Sequence, residues 1–112
     1  MTQARWNAEV RKMKEVFSWF QPLDRGEFVG FSGNLSGPGG ATYSVEIVAA
    51  KKTYPAVAPR IWLRPPVGSN RLADGSLCIE RAWRPDRDTF AQQVLYAAAY
   101  LAYQRKLWEC HE

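Results

Sequence analysis

The apolar residues of this chain change period twice, and that switch limits the fold more than any other feature. At the amino end, Trp6, Val10, Met13, Phe17 and Phe20 recur at steps of four and three, which places them on one helix face. From Glu27 to Leu63 the step becomes two. Val29, Phe31, Gly33 and Leu35 alternate with polar or small residues, Gly37-Pro38-Gly39-Gly40 interrupts as a turn, and Tyr43, Val45 and Ile47 alternate again. That pattern predicts an antiparallel hairpin. Ile61-Trp62-Leu63 reads as a third short strand. Tyr54-Pro55 and Pro59 bound it before, and Pro65-Pro66 after, because proline donates nothing to a ladder. The helical step returns in Phe90, Val94, Ala97, Ala98 and Leu101. Helix, three-stranded meander, long loop and helix predict an α+β fold, with one antiparallel sheet covered by helices.

The ends of these elements carry their own signals. Thr2 is placed to cap the first helix, and Pro22 marks its stop. Thr89 opens the last helix with Gln92 at capping-box spacing. Arg5, Arg11, Lys12 and Lys14 lie largely off the apolar stripe of the first helix. They read as a solvated face or as a docking surface for an acidic partner. Tyr96, Tyr100 and Tyr103 flank the apolar face of the last helix and read as core edge. Residues 64 to 88 have no clean period, which leaves a loop of about 25 residues, and loops that long are usually functional.

Composition excludes several classes. At 112 residues with 46% hydrophobic content, residues 1–112 make a single domain able to bury a core. No apolar run approaches the roughly 18 residues of a membrane helix. The polar start, Met1 to Glu15, is unlike a secretory leader, so a cytoplasmic protein is expected. Net charge is +4 and the isoelectric point about 9.3, which permits nucleic-acid binding without arguing for it. Trp62 and the tyrosines read as core packing, so neither a nucleic acid nor a membrane is expected as a partner. Two cysteines, Cys78 and Cys110, and one histidine, His111, form no zinc pattern. Thiols this far apart fit a reducing compartment better than a disulfide scaffold. Cys110 beside His111 reads as incidental.

Cys78 lies in the long loop. Asp74-Gly75 forms a turn before it, and Leu77 and Ile79 are placed to anchor it on both sides. A thiol between two aliphatics reads equally as a buried structural cysteine. A carrier thiol, however, needs no strong base, because thiol exchange is fastest when the thiol pKa lies near ambient pH. Aminolysis of a thioester then develops an oxyanion, which a side-chain amide such as Asn70 would stabilise. Asn70 also reads as a turn-forming residue. Glu80, two residues after the thiol, would orient an incoming lysine, or else pairs with Arg81 or Arg84 at the surface.

The segment Tyr54-Pro55-Ala56-Val57-Ala58-Pro59-Arg60-Ile61 resembles the YPxxPPxV segment of ubiquitin-conjugating enzymes. The similarity continues through Asn70 to Glu80, where that family has an HPN tripeptide and then its thioester cysteine. Asn70 and Cys78 stand eight positions apart, as in the family. Trp83-Arg84-Pro85 and Thr89 resemble the W-x-P-x-x-T that leads into the family's crossover helix. The sequence departs from the pattern where Gly68-Ser69-Asn70 replaces HPN, in a Cys78–Trp83 interval about three residues shorter, and in having one helix after the cysteine. That shortening resembles compact prokaryotic members. The resemblance implies a UBC-like fold and a transferase that takes a ubiquitin-like modifier as a thioester on Cys78 and passes it to an amine. It implies that Asn70 supports aminolysis or the structure of the loop, and that Glu80 contacts the acceptor. It implies no cofactor. The implied partners are a ThiF-like activating enzyme, the ubiquitin-like modifier, a target protein, and a ligase or isopeptidase of the same system, in a setting such as antiphage defence. The alternative is an inactive UBC-like or RWD-like binding module.

Overall fold

The computed structural model describes residues 1–65, 72, 74–77 and 82–103. Helix α1 spans Gln3–Val16. Thr2 caps it as expected, its Oγ1 accepting from the Arg5 N–H at 3.1 Å. The helix stops earlier than the apolar spacing suggests. Phe17 leaves helical geometry (φ −132°, ψ 69°), and Phe20 reaches the core from beyond the helix.

Four strands follow, one more than the periodicity predicts. They are β1 (Gln21–Asp24), β2 (Phe28–Ser36), β3 (Thr42–Ala50) and β4 (Arg60–Arg64), paired antiparallel in chain order. Strand β1 is four residues long and largely exposed, so it has no hydrophobic period to read. Its Pro22 is tolerated because β1 is an edge strand, where a missing N–H costs no ladder bond. Side chains hold it in place: Lys51 Nζ lies 3.0 Å from Asp24 Oδ1, and Arg25 pairs with both carboxylate oxygens of Glu46.

The strand register lines up the odd-numbered residues. Phe31 pairs with Ile47 and Ile47 with Ile61, while Gly33, Val45 and Leu63 form the next row. The alternation seen in the sequence is therefore the core face of one sheet, and Val29, Phe31, Tyr43, Val45, Ile47, Ile61 and Leu63 are all buried.

Helix α2, Phe90–Tyr103, lies with α1 on that face. Phe90, Val94, Ala97 and Leu101 are fully buried. Tyr100 is buried as well, deeper than an edge residue, whereas Tyr96 is half-buried. Thr89 caps α2 through its Oγ1, which accepts from Gln92 N–H at 3.2 Å. Gln92 does not close the capping box. Its amide donates to the Tyr96 hydroxyl instead, at 2.8 Å and one turn on. An aromatic cluster of Trp6, Phe31, Tyr54 and Phe90 joins both helices and the sheet, with Tyr54 and Phe90 centroids 4.7 Å apart.

Candidate active site

Cys78, Asn70 and Glu80 lie outside the described residues, as do Ile79 and Arg81. What the structure describes is the frame on either side of them. On the approach, a tight turn runs from Leu72 to Leu77. Leu72 N–H donates to Ser76 O at 2.8 Å, and Gly75 N–H donates to Leu72 O at 2.9 Å. Gly75 has φ +93°, a backbone state that side chains disfavour, so this position of the Asp74-Gly75 turn requires glycine. Asp74 Oδ1 accepts from Ser76 N–H at 2.9 Å and from Ser76 Oγ at 2.6 Å. These bonds, and then the charge of Arg60, hold the Asp74 carboxyl below the usual carboxylate range.

Leu77 is buried, and its N–H donates to Ile61 O at 2.8 Å, forming an antiparallel bridge to the outer edge of β4. Of the two aliphatics expected to anchor Cys78, Leu77 is thus held in the apolar layer, and Ile79 lies outside the described residues. The long loop is consequently less irregular than its sequence, since β4 supplies a partner the local pattern does not reveal.

On the far side, Trp83 donates from Nε1 to Pro55 O at 2.6 Å and packs on Tyr54, ring centroids 6.0 Å apart. Trp83 thus fastens the loop to the Tyr54-Pro55 turn. Asp88 Oδ2 accepts from Arg84 N–H at 2.7 Å, and Asp88 N–H closes back on Arg84 O at 2.8 Å. The segment between Leu77 and Trp83, which contains Cys78 and Glu80, is thus tied at both ends to one structural unit made of β4 and the Tyr54 turn.

Behind that turn is a buried polar cluster that the sequence reading missed. Glu9 is 2% exposed. Its carboxylate accepts from Arg5 Nε at 2.8 Å, from Phe90 N–H at 3.0 Å and from the Tyr54 hydroxyl. Arg5 also donates to Pro85 O at 2.7 Å, to Asp88 O at 2.6 Å and to the Tyr54 hydroxyl at 3.1 Å. Arg5 is therefore not part of a solvated face; it fixes the loop that leads into α2. The line Arg5, Glu9, Met13 at four-residue steps is the signal that could have shown it. Burial, and then Glu9, push the Tyr54 hydroxyl well above its ordinary pKa, so it remains a donor.

Among the described residues no group of three or more histidine, cysteine, aspartate or glutamate side chains could hold a metal ion, and no helix is long and apolar enough to cross a membrane. No family model matches the chain, and no curated protein sequence matches it.

A first prediction concerns the turn. Asp74→Ala leaves the fully buried Ser76 hydroxyl without its acceptor, and the loss expected is about 1–2 kcal/mol at neutral pH. The folded carboxyl titrates below its unfolded value, so its contribution is complete above the unfolded pKa of about 4 and fades as pH falls through the folded one. Urea unfolding at pH 7 and near pH 3 should show the gap between wild type and Asp74→Ala shrinking in acid.

Proposed function

We propose that the protein carries a ubiquitin-like modifier as a thioester on Cys78 and passes it to an amine of a target protein. The observation that carries the reading is the run from Tyr54-Pro55 through Asn70 and Cys78, eight positions apart, to Trp83-Arg84-Pro85 and Thr89. Two structural features support it. The α+β architecture, with a helix before the sheet and one after the loop, is compatible with a UBC-like fold. The chain on both sides of residues 78–81 is anchored, at Leu77 to β4 and at Trp83 to the Tyr54 turn, as a thiol held for two successive partners requires.

In the first step the Cys78 thiolate attacks the carbonyl carbon of the modifier's thioester on a ThiF-like activating enzyme. A new C–S bond forms and the donor's thiolate leaves. In the second step a neutral amine attacks the Cys78 thioester. The amide bond forms, the C–S bond breaks, and the amine's proton leaves as the Cys78 thiol is regenerated. The oxyanion between these events is where an amide donor, assigned to Asn70, has its effect. Glu80 is assigned to orient the acceptor amine. A cytoplasmic setting with the thiol reduced suits this chemistry. Replacement of the family's HPN by Gly68-Ser69-Asn70 favours the second reading, an inactive UBC-like or RWD-like binding module.

The experiment is a non-reducing gel after incubation with a charged activating enzyme and its modifier. Wild type should gain a band one modifier heavier that disappears with reductant. Cys78→Ala should lose the band while keeping the wild-type circular dichroism spectrum, and Cys78→Lys should trap a reductant-resistant adduct. No adduct from a demonstrably charged activating enzyme would overturn the carrier reading and leave the binding module.

A further inference from the structure

Three of the large apolar side chains that remain exposed gather in one place: Val16 at 47%, Trp19 at 52% and Leu95 at 56%. Val16 and Leu95, one from each helix, line a groove of about 660 Å³ between α1 and the first turns of α2. Phe17 also lines it, and Trp19 extends the apolar surface by packing edge-to-face on Phe17 with ring centroids 5.7 Å apart, its Nε1 donating to Asn34 O at 2.8 Å. Scattered apolar residues are ordinary, but a contiguous patch with a concave floor marks a contact surface.

The shape and charge of the groove select its occupant. Its α1 wall follows one helical stripe, from Arg5 through Ala8 and Lys12 to Val16, which spans about 17 Å at 1.5 Å per residue. That is the length of a helix of about three turns. Lys12 stands on one wall and Arg87 on the other, both exposed, with no carboxylate within ion-pair distance among the described residues. Arg5 is already occupied by Glu9 in the floor. Asp86 is the one exposed acid in the lining. Beside this stripe α1 exposes one acid, Glu15, and two bases, Arg11 and Lys14, so its outer surface is net positive. A second copy docking here would bring like charges together. A flat lipid surface would not reach the concave floor.

We infer that the α1–α2 groove binds an acidic amphipathic helix of a partner protein, its apolar stripe seated between Val16 and Leu95 and its carboxylates on Lys12 and Arg87. Apolar anchors at i, i+3 or i+4 and i+7 fill such a groove, and flanking charge sets orientation and partner choice. The site is independent of Cys78, so Cys78→Ala should bind such a helix as wild type does.

The test uses the full chain and two designed fluorescent helices with the same leucine stripe, one flanked by glutamates and one by lysines. Anisotropy titration should show the glutamate helix binding about tenfold or more tightly than the lysine helix, an advantage lost in high salt. Lys12→Glu combined with Arg87→Glu, both at exposed positions, should invert that preference, and Leu95→Asp should weaken both helices. Amide shifts induced by the glutamate helix should centre on Ala8, Lys12, Val16 and Leu95. Equal binding of the two helices, no binding up to about 1 mM, or shifts centred elsewhere would overturn the proposal. It is overturned equally if Leu95→Asp abolishes self-association seen by sedimentation, which assigns the face to a second copy. Leu95-dependent binding to phosphatidylglycerol vesicles in preference to the glutamate helix would assign it to a membrane.

Discussion

Glu9→Ala is expected to lower the free energy of unfolding by about 3–5 kcal/mol, the range seen when one partner of a buried ion pair is removed. The reason is the number of groups that depend on this carboxylate. Arg5 Nε, Phe90 N–H and the Tyr54 hydroxyl all donate to it; the last two are buried and would lose this acceptor, and the partly buried Arg5 would lose its counter-charge. Phe90 is the first residue of α2 and Tyr54 heads the turn on which Trp83 rests, so the damage reaches the start of α2 and the Trp83 anchor of the loop that contains Cys78. Glu9→Gln should cost less. One oxygen still serves an N–H, but the amide now faces Arg5 and Tyr54 with the wrong polarity. Combining Glu9→Leu with Arg5→Met should recover part of the loss, because an apolar pair leaves no buried charge uncompensated. Equilibrium urea unfolding, followed by tryptophan fluorescence, would decide. A loss below 1 kcal/mol for Glu9→Ala, on the order of one ordinary hydrogen bond, would show that water reaches the cluster.

Gly30→Ala is expected to cost about 3 kcal/mol, at the upper end for inserting one methyl group into packed structure. A Cβ built at Gly30 would stand 1.8 Å from the Ile47 carbonyl oxygen and 2.8 Å from its carbon. Both atoms belong to the backbone of β3, so no side-chain rotation relieves the clash. Strand β2 is paired on both sides, with Leu23 and Val48 opposite Gly30, and any shift must disturb two ladders. Ser32→Ala, two residues along the same strand, should stay within about 0.5 kcal/mol. Thermal unfolding of the two variants side by side makes the comparison. Equal melting temperatures would mean that the strands can separate at Gly30 without loss.

Much of the architecture was legible from periodicity. The odd-numbered apolar residues of β2, β3 and β4 alternate because one sheet face is buried and the other is not, and the first helix shows its stripe for the same reason. Caps at Thr2 and Thr89 were readable because a hydroxyl beside the first helical turn has a local, sequence-near donor to satisfy. Strand β1 was not readable. Its exposed residues carry no period, and it exists because β2 offers an unpaired edge and Asp24 and Arg25 reach cations and carboxylates on other segments.

The site divides in the same way. The resemblance to the conjugating-enzyme motif singled out Cys78, Asn70 and Glu80, and the Asp74-Gly75 turn pointed to a loop bearing one thiol. Tertiary structure decided what holds that loop: the edge of β4 for Leu77, the Pro55 carbonyl for Trp83, and behind them the carboxylate of Glu9. A local pattern reports forces that act within a few residues, as helix caps, turns and amphipathic faces do. Glu9 and Phe90 stand far apart in the chain, and a buried charge has meaning only when the groups that neutralise it are known. In the sequence Arg5 stands among the basic residues of a helix face, and only folding shows that Glu9 neutralises it. The groove between α1 and α2 has the same origin, since it exists only after two helices from opposite ends of the sequence are brought onto one sheet.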